Sequence, residues 1–171
     1  MPRPSPDEYP AFYETYVRLV TEQDLSQALE RSTQELVADL SQMPQERQDH
    51  AYAEGKWTVR QVVQHAIDTE RVFAYRAMCL ARGERQSLPG FDENAYAENA
   101  VVTDRPLSVM KEEFQALRRA NRAMFEGFTQ DMLRAEGKAD GKNVSVLAIG
   151  YMLIGHWRHH AGILRERYGV L

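Results

Sequence analysis

Apolar residues recur at intervals of three or four positions along four long segments of this chain, and that spacing limits the fold more than any other feature. The first segment carries Leu25, Leu29, Leu36 and Leu40 among charged residues. Such intervals place side chains on one face of an α-helix, whereas a half-buried strand alternates at every second position. No segment shows that alternation, so the sequence predicts an all-α protein without strands.

Local signals set the limits of the four predicted helices. Thr58 can cap the second helix and Gln61 can return the hydrogen bond, which is the pattern of a capping box. Pro106 is tolerated in the first turn of the third helix, and Gly169 stops the fourth. The helices are predicted over residues 24–43, over residues 59–82, from the "TDRPLS" stretch to residue 127, and over residues 145–168.

Four such helices in a chain of 171 residues favour an antiparallel, up-and-down four-helix bundle in a single domain, residues 1–171. Binding sites in such bundles lie between facing helices. The second and third helices are joined by a long loop, residues 83–105, which exceeds the roughly 2 to 8 residues usual in bundles. Two interpretations stay open: the loop is a lid over a site, or it crosses the end of the bundle and "ENAYAENA" forms a short helix.

Composition and charge exclude several classes of function. The formal net charge is −4, and no run of lysine or arginine forms the basic stripe typical of nucleic-acid binding. Cys79 is the only cysteine, which excludes a disulfide or a cysteine-based zinc site within one chain. No apolar run approaches the roughly 18 residues that span a bilayer, and the first residues contain no signal core. We therefore expect a cytoplasmic protein with a small-molecule substrate and with neither nucleic acid nor a membrane as a partner.

Three of the five histidines lie in the stretch "GHWRHHAGILRERYG" near the end of the chain. On the predicted fourth helix, His156 and His160 are one turn apart in the middle of the apolar stripe, while His159 falls at its margin. Two imidazoles at this spacing can converge on one metal ion. The alternative is a pair of buried neutral histidines that hydrogen-bond to other groups, and the spacing alone does not decide between the two.

A third nitrogen ligand has two candidates elsewhere in the chain. His65 lies on the second helix at the edge of its apolar face, which suits a residue that lines a cleft, although a histidine that only hydrogen-bonds to a neighbouring helix would look the same. His50 lies in a polar connector and is most simply a hydrated loop residue. Three neutral imidazoles would leave coordination positions open, as in a catalytic metal site.

Three acidic residues are candidates for catalytic or orienting roles near such a site. Asp68 lies on the same helix as His65 and can orient a histidine, and the loop acids Asp92 and Glu93 can act as a base if the loop folds over the site. Each has a plainer alternative. Asp68 can pair with Arg71 three residues later, and the two loop acids can be hydrated.

The chain resembles the DinB/YfiT-like superfamily of metal-dependent enzymes along nearly all its length. The matching stretches, in order, are "YPAFYETYV", "GKWTVRQVVQHAIDTERVFAYRAMCLARG", "LPGFDENAYAENA" and "GHWRHHAGILRERYG". The resemblance implies an up-and-down four-helix bundle, often a homodimer, with a divalent ion held by His65, His156 and His160. It also implies that the ion is nickel, zinc or another divalent cation, and that some relatives use a low-molecular-weight thiol. Where relatives often carry an acid after the "GH" pair, this chain has Trp157, which we expect to pack against a neighbouring helix.

These observations predict a metal-dependent enzyme, either a hydrolase or a low-molecular-weight-thiol transferase. In both reactions a metal ion makes an anionic nucleophile available near neutral pH. The alternative from another class is a non-catalytic bundle, a dimer that binds a small molecule or serves in a stress response.

Overall fold

The structure, a computed structural model, describes residues 3–171 of the chain, and its four longest helices lie where the spacing of apolar residues predicts them. Among the described residues the chain forms seven α-helices and two short strands. The helices are α1 (Glu14–Val17), α2 (Leu25–Gln42), α3 (Val59–Ala81), α4 (Glu93–Asn99), α5 (Leu107–Glu126), α6 (Gln130–Arg134) and α7 (Val146–Ile163). None of the helices in this part of the chain is both long and apolar enough to cross a membrane.

Side-chain caps fix where α3 and α7 begin. The Thr58 hydroxyl accepts a hydrogen bond from the Gln61 backbone N–H, and the Gln61 side chain accepts one from the Thr58 N–H, which confirms the predicted capping box of α3. Ser145 caps α7 in the same way through the N–H of Ala148. Beyond α7 the chain continues as one π-helical turn, which ends at Gly169, whose φ of 60° lies in the left-handed region.

The expectation that the chain has no strands is wrong. Strands β1 (Glu136–Ala139) and β2 (Lys142–Ser145) form an antiparallel hairpin, and Leu88 from the preceding loop forms a bridge to Ala139. The turn consists of Asp140 and Gly141, both with positive φ, and Asp-Gly is the residue pair that two-residue hairpin turns favour. The hairpin is short and its first strand is largely exposed, so it lacks the apolar alternation by which strands are usually recognised.

The connection between α3 and α5 contains the short helix α4 within the "ENAYAENA" stretch. Asp92 caps this helix by accepting hydrogen bonds from the backbone N–H groups of Asn94 and Ala95. The segment is therefore ordered by its own backbone hydrogen bonds as well as by its contacts with α3.

Helix α7 lies at the centre of the fold, where it packs against α1, α2 and α3. Its residues from Val146 to Trp157 are all buried, so this helix has no solvent face over most of its length. Trp157 packs edge-on against Phe114 of α5 at 5.3 Å between ring centroids, and its indole N–H donates to Asp39 of α2. The expected packing role of Trp157 is confirmed.

A buried ion pair joins α3 to α5. Arg118 donates from Nε and Nη2 to the Glu70 carboxylate, with a shortest distance of 2.6 Å, and both side chains are almost fully buried. Ser32 of α2 accepts a further hydrogen bond from Arg118, and Asn121 donates to Glu70. Because both charges are paired and hydrogen-bonded, the bundle interior tolerates them.

Candidate metal centre

Three buried imidazoles meet between α3 and α7. The ligand-capable nitrogens of His65, His156 and His160 all lie within 4.8 Å of one another. The Nε2 atom of His156 is 3.1 Å from Nε2 of His65 and 3.1 Å from Nε2 of His160. The structure therefore brings together the three histidines that the sequence singles out as candidate ligands.

Local features of three helices place these rings. His156 and His160 are one turn apart on α7, so their side chains leave the helix on the same face, and α3 packs along that face with His65. Gly155, beside His156, lets the backbone of α1 approach closely, because a Cβ at this position would lie 2.1 Å from the carbonyl oxygen of Tyr16. That close approach brings the Tyr16 ring onto the histidines.

The two nitrogen separations that include His156 suit a shared metal ion. With metal–nitrogen bonds of about 2.0 to 2.1 Å, ligand nitrogens lie about 3.4 Å apart in a tetrahedral site and neighbouring ones about 2.9 Å apart in an octahedral site. The observed 3.1 Å falls between these values. Hydrogen bonding explains the arrangement less well, since Nε2 of a neutral His156 has one hydrogen or one lone pair and faces two other nitrogens. Three imidazole nitrogens are a donor set that zinc and nickel accept.

Burial keeps these histidines uncharged. Loss of hydration, together with a smaller effect of the nearby His159, lowers the pKa of His65 to about 4. Burial likewise holds the pKa of His156 and of His160 well below the usual value, and each is lowered further by its histidine neighbours. A metal ion therefore finds free lone pairs at neutral pH without displacing protons.

Aromatic rings enclose the cluster, and the sequence did not reveal their role. The Trp57 ring lies 4.9 Å from His65, the Tyr16 ring 5.1 Å from His156, and the Phe73 ring 6.0 Å from His156. Tyr16 belongs to α1, a helix of four residues that is too short for its periodicity to be recognised. The only signal was the presence of "YPAFYETYV" among the stretches that resemble the superfamily.

Glu93 lies close enough to Tyr16 for its charge to act on the phenol. Burial, together with a smaller effect of the negative charge of Glu93, raises the pKa of Tyr16 to about 12. The phenol therefore keeps its proton at neutral pH. Glu93 itself is exposed at the start of α4, which places this loop acid near a ring that contacts His156.

The other two candidate acids have structural partners. Asp68 accepts a hydrogen bond from Gln64 at 2.9 Å and lies 3.7 Å from Arg71, as in the plainer interpretation of this residue. Asp92 is engaged as the cap of α4. Their catalytic roles stay predictions, and the contacts that the structure gives them are those of residues that stabilise helices.

The two remaining histidines lie outside the cluster. His159 is partly buried between the rings of Tyr16 and His160, at 5.3 and 5.2 Å, which agrees with its marginal place on the helix. His50 lies in the connector before α3 and is partly buried, with its ring 6.1 Å from that of Tyr168.

Comparison with known proteins places this centre in a family context. A protein of Bacillus cereus (strain AH820) named "putative metal-dependent hydrolase" is 27% identical over 157 residues, which cover 89% of this chain and 90% of that protein. A Bacillus mycoides (strain KBAB4) protein with a name of the same kind is 33% identical over 94 residues, which cover 53% of this chain and 54% of that protein.

A solved structure shares the fold. YfiT from Bacillus subtilis, described as "a probable metal-dependent hydrolase with an unusual four-helix bundle topology", matches with a TM-score of 0.74 at 22% identity, over 86% of this chain and 87% of that chain. The family model of the DinB superfamily matches residues 28–164, a range that contains all three clustered histidines. The chain belongs to the DinB superfamily.

Proposed function

We propose that this chain is a metal-dependent hydrolase whose divalent ion is held by His65, His156 and His160. The observation that carries the proposal is the convergence of three buried imidazoles, in which Nε2 of His156 is 3.1 Å from Nε2 of His65 and of His160 and all the ligand nitrogens lie within 4.8 Å of one another. The relatives from Bacillus cereus and Bacillus mycoides, named as metal-dependent hydrolases, support the same reaction class.

The residues around the centre have distinct tasks in this proposal. A divalent ion with open coordination positions supplies Lewis-acid chemistry, lowering the pKa of water to near neutrality. The three imidazoles supply lone pairs because burial keeps them neutral. The rings of Trp57, Tyr16 and Phe73 exclude bulk water from the sides of the cluster, which strengthens electrostatic interactions there.

Tyr16 and Glu93 are the best-placed groups for proton handling. The Tyr16 hydroxyl keeps its proton, so it acts as a hydrogen-bond donor to a substrate oxygen. Glu93 is exposed at the edge of the same region, where its carboxylate can accept a proton from water or return one to a leaving group. Asp68 would act only through α3, by holding Gln64 beside His65.

Metal analysis of protein purified without a histidine tag tests the ligand set. We expect about one divalent ion per chain in the wild type and in His159→Ala, the control, because His159 lies next to the cluster but outside it. His156→Ala should lose the ion, since removing one of three ligands leaves two imidazoles. Equal metal content in His156→Ala and the wild type would refute the assignment.

An activity panel separates hydrolysis from the other functions. Esters and amides should be hydrolysed without added thiol, and chelation should abolish the reaction until a divalent ion is restored. Turnover only in the presence of a low-molecular-weight thiol would identify a thiol transferase instead. A metal-loaded protein that is inactive across the panel would indicate a non-catalytic binding protein.

A further inference from the structure

Arg76 of α3 is a buried arginine without an acidic partner. Three arginines in residues 3–171 are more than nine-tenths buried: Arg60, Arg76 and Arg118. Arg60 is paired with Asp49 and Arg118 with Glu70, whereas Arg76 forms no ion pair with any described residue. An uncompensated buried charge is energetically costly, so Arg76 needs a group that compensates its charge.

The contacts of Arg76 are all with uncharged groups. Its Nη2 donates to the carbonyl oxygen of Pro89 at 2.7 Å, and its guanidinium carbon lies 5.9 Å from the centre of the Phe91 ring. Burial raises the pKa of Tyr13, and the charge of Arg76 and a hydrogen bond with it oppose that rise, so the Tyr13 hydroxyl is a further uncharged neighbour. The Nε of Arg76 is buried and has no hydrogen-bond partner. The guanidinium therefore retains an unused donor.

Arg76 lines a groove of about 250 Å³ between α3 and the segment that leads into α4. Arg76 and Arg71 supply positive charge to it, and the rings of Tyr75, Phe91 and Tyr96 supply aromatic walls. Tyr75 and Tyr96 are 52% and 50% exposed, which is high for rings of this size. Arg71 is already paired with Glu113, so Arg76 is the arginine in the lining that has no ion pair among the described residues.

We propose that this groove binds a small aromatic carboxylate, whose carboxylate pairs with Arg76 and whose ring packs against Tyr75 and Tyr96. The volume is below the roughly 300 to 1,000 Å³ of sites for drug-sized ligands, which points to a small molecule. Arg76 follows His65 by eleven positions on α3, about 16 Å along the axis. The groove is thus a second site, and its occupancy does not depend on the histidine cluster.

Ligand titration followed by nuclear magnetic resonance tests the proposal on the full chain with a chelator present. Phenylacetate at millimolar concentration should shift the Arg76 Nε–H signal, and the shift should saturate as the phenylacetate concentration rises. Benzyl alcohol, which has the ring without the charge, should bind at least tenfold more weakly, because it lacks the charge-assisted hydrogen bond. Phenyl phosphate serves as the second anion, and binding of phenyl phosphate without binding of phenylacetate would overturn the carboxylate assignment.

Variants locate the binding. Arg76→Gln should weaken phenylacetate binding at least tenfold, whereas Arg82→Gln, the same charge change at an exposed position of the α3 C-terminus, should leave it unchanged. If Arg76→Gln does not fold, Tyr75→Ala and Tyr96→Ala at the exposed walls should each weaken binding severalfold. Wild-type affinity in both tyrosine variants, or an unshifted Arg76 signal at saturating phenylacetate, would refute the proposal.

Discussion

Gly155 shows how one missing side chain sets the surroundings of the candidate metal centre. The carbonyl oxygen of Tyr16 occupies the place where a Cβ of residue 155 would be, at 2.1 Å. This contact is with backbone atoms, which cannot rotate away as the end of a flexible side chain can. Any larger residue at position 155 would have to push α1 away from α7, and the Tyr16 ring would move away from His156 with it.

Gly155→Ala should therefore destabilise the protein by about 1 to 3 kcal/mol, the range for overpacking a close contact. Gly162→Ala is the matched control, because it lies on the same helix and a Cβ added there would have no atom within 4 Å. That change should be neutral or stabilising by up to about 1 kcal/mol, since alanine favours helix. Urea unfolding of both variants provides the comparison, and equal stabilities would contradict the proposed contact.

At the scale of elements, the hairpin β1–β2 depends on its two-residue turn. Asp140 has a φ of 54° and Gly141 a φ of 71°, so both residues adopt the left-handed conformation. Gly141→Ala should cost about 1 kcal/mol in the free energy of unfolding, because a Cβ is strained at positive φ. Asp140→Asn should stay within about 0.5 kcal/mol of the wild type, since asparagine tolerates the same conformation. Thermal unfolding measures the stability of both variants. Wild-type stability in Gly141→Ala would show that the turn accommodates the added Cβ.

The long helices could be predicted from the sequence because they carry apolar residues at helical spacing, and because α2, α3 and α7 each begin at a side-chain cap. Thr58 with Gln61 at the start of α3, and Gly169 after the last turn, are signals that act over a few residues. The hairpin could not be predicted from apolar alternation, although "ADGK" contains the Asp-Gly pair of its turn. Its strands are held by backbone hydrogen bonds and by the bridge to Leu88, and neither leaves a pattern in side-chain polarity.

The buried pair of Arg118 and Glu70 belongs to the whole molecule, because it joins three helices in the interior. Arg118→Met should destabilise the protein by about 3 to 5 kcal/mol, since it leaves the Glu70 charge buried without a cation. The double variant Arg118→Met with Glu70→Met should recover much of that loss, because it removes both charges. Urea unfolding of the two single variants and the double variant gives the coupling energy, and additive losses would show that the pair is not coupled.

The three clustered histidines make the stability of the metal-free protein depend on pH. An unfolded histidine binds a proton below about pH 6.5, whereas burial lowers the pKa of His65 to about 4 in the folded state and lowers those of His156 and His160 as well. Between these values the unfolded chain holds more protons. Stability is therefore complete above about pH 6.5 and is lost as the pH falls towards 4, by up to about 1.4 kcal/mol per pH unit for each histidine.

Unfolding measured at several pH values in the presence of a chelator checks this dependence. Replacing all three clustered histidines with asparagine should flatten the loss of stability over the same range. The variant His50→Asn leaves the cluster intact and should keep the wild-type dependence. An equally steep loss of stability in the triple variant would show that other titratable groups cause the pH dependence.

The candidate centre could be predicted only in part, because different kinds of contact bring its residues together. His156 and His160 share one helix, so their spacing alone shows that they face the same way. His65 reaches them through the packing of α3 on α7, a tertiary contact that sequence spacing does not encode. Tyr16 and Glu93 belong to the short helices α1 and α4, and only the assembled molecule brings Tyr16 onto His156 and Glu93 close to Tyr16.

Because two of the clustered histidines lie on α7, the synthesis of this helix determines when the cluster can form. His65 and His156 are 91 positions apart, so at roughly 5 to 20 residues per second the ribosome adds the second imidazole roughly 5 to 20 s after the first. During that delay α1, α2 and α3 exist without the helix that all three pack against. A metal ion that needs all three imidazoles can therefore bind only after α7 has been synthesised, and it cannot guide the earlier steps of folding.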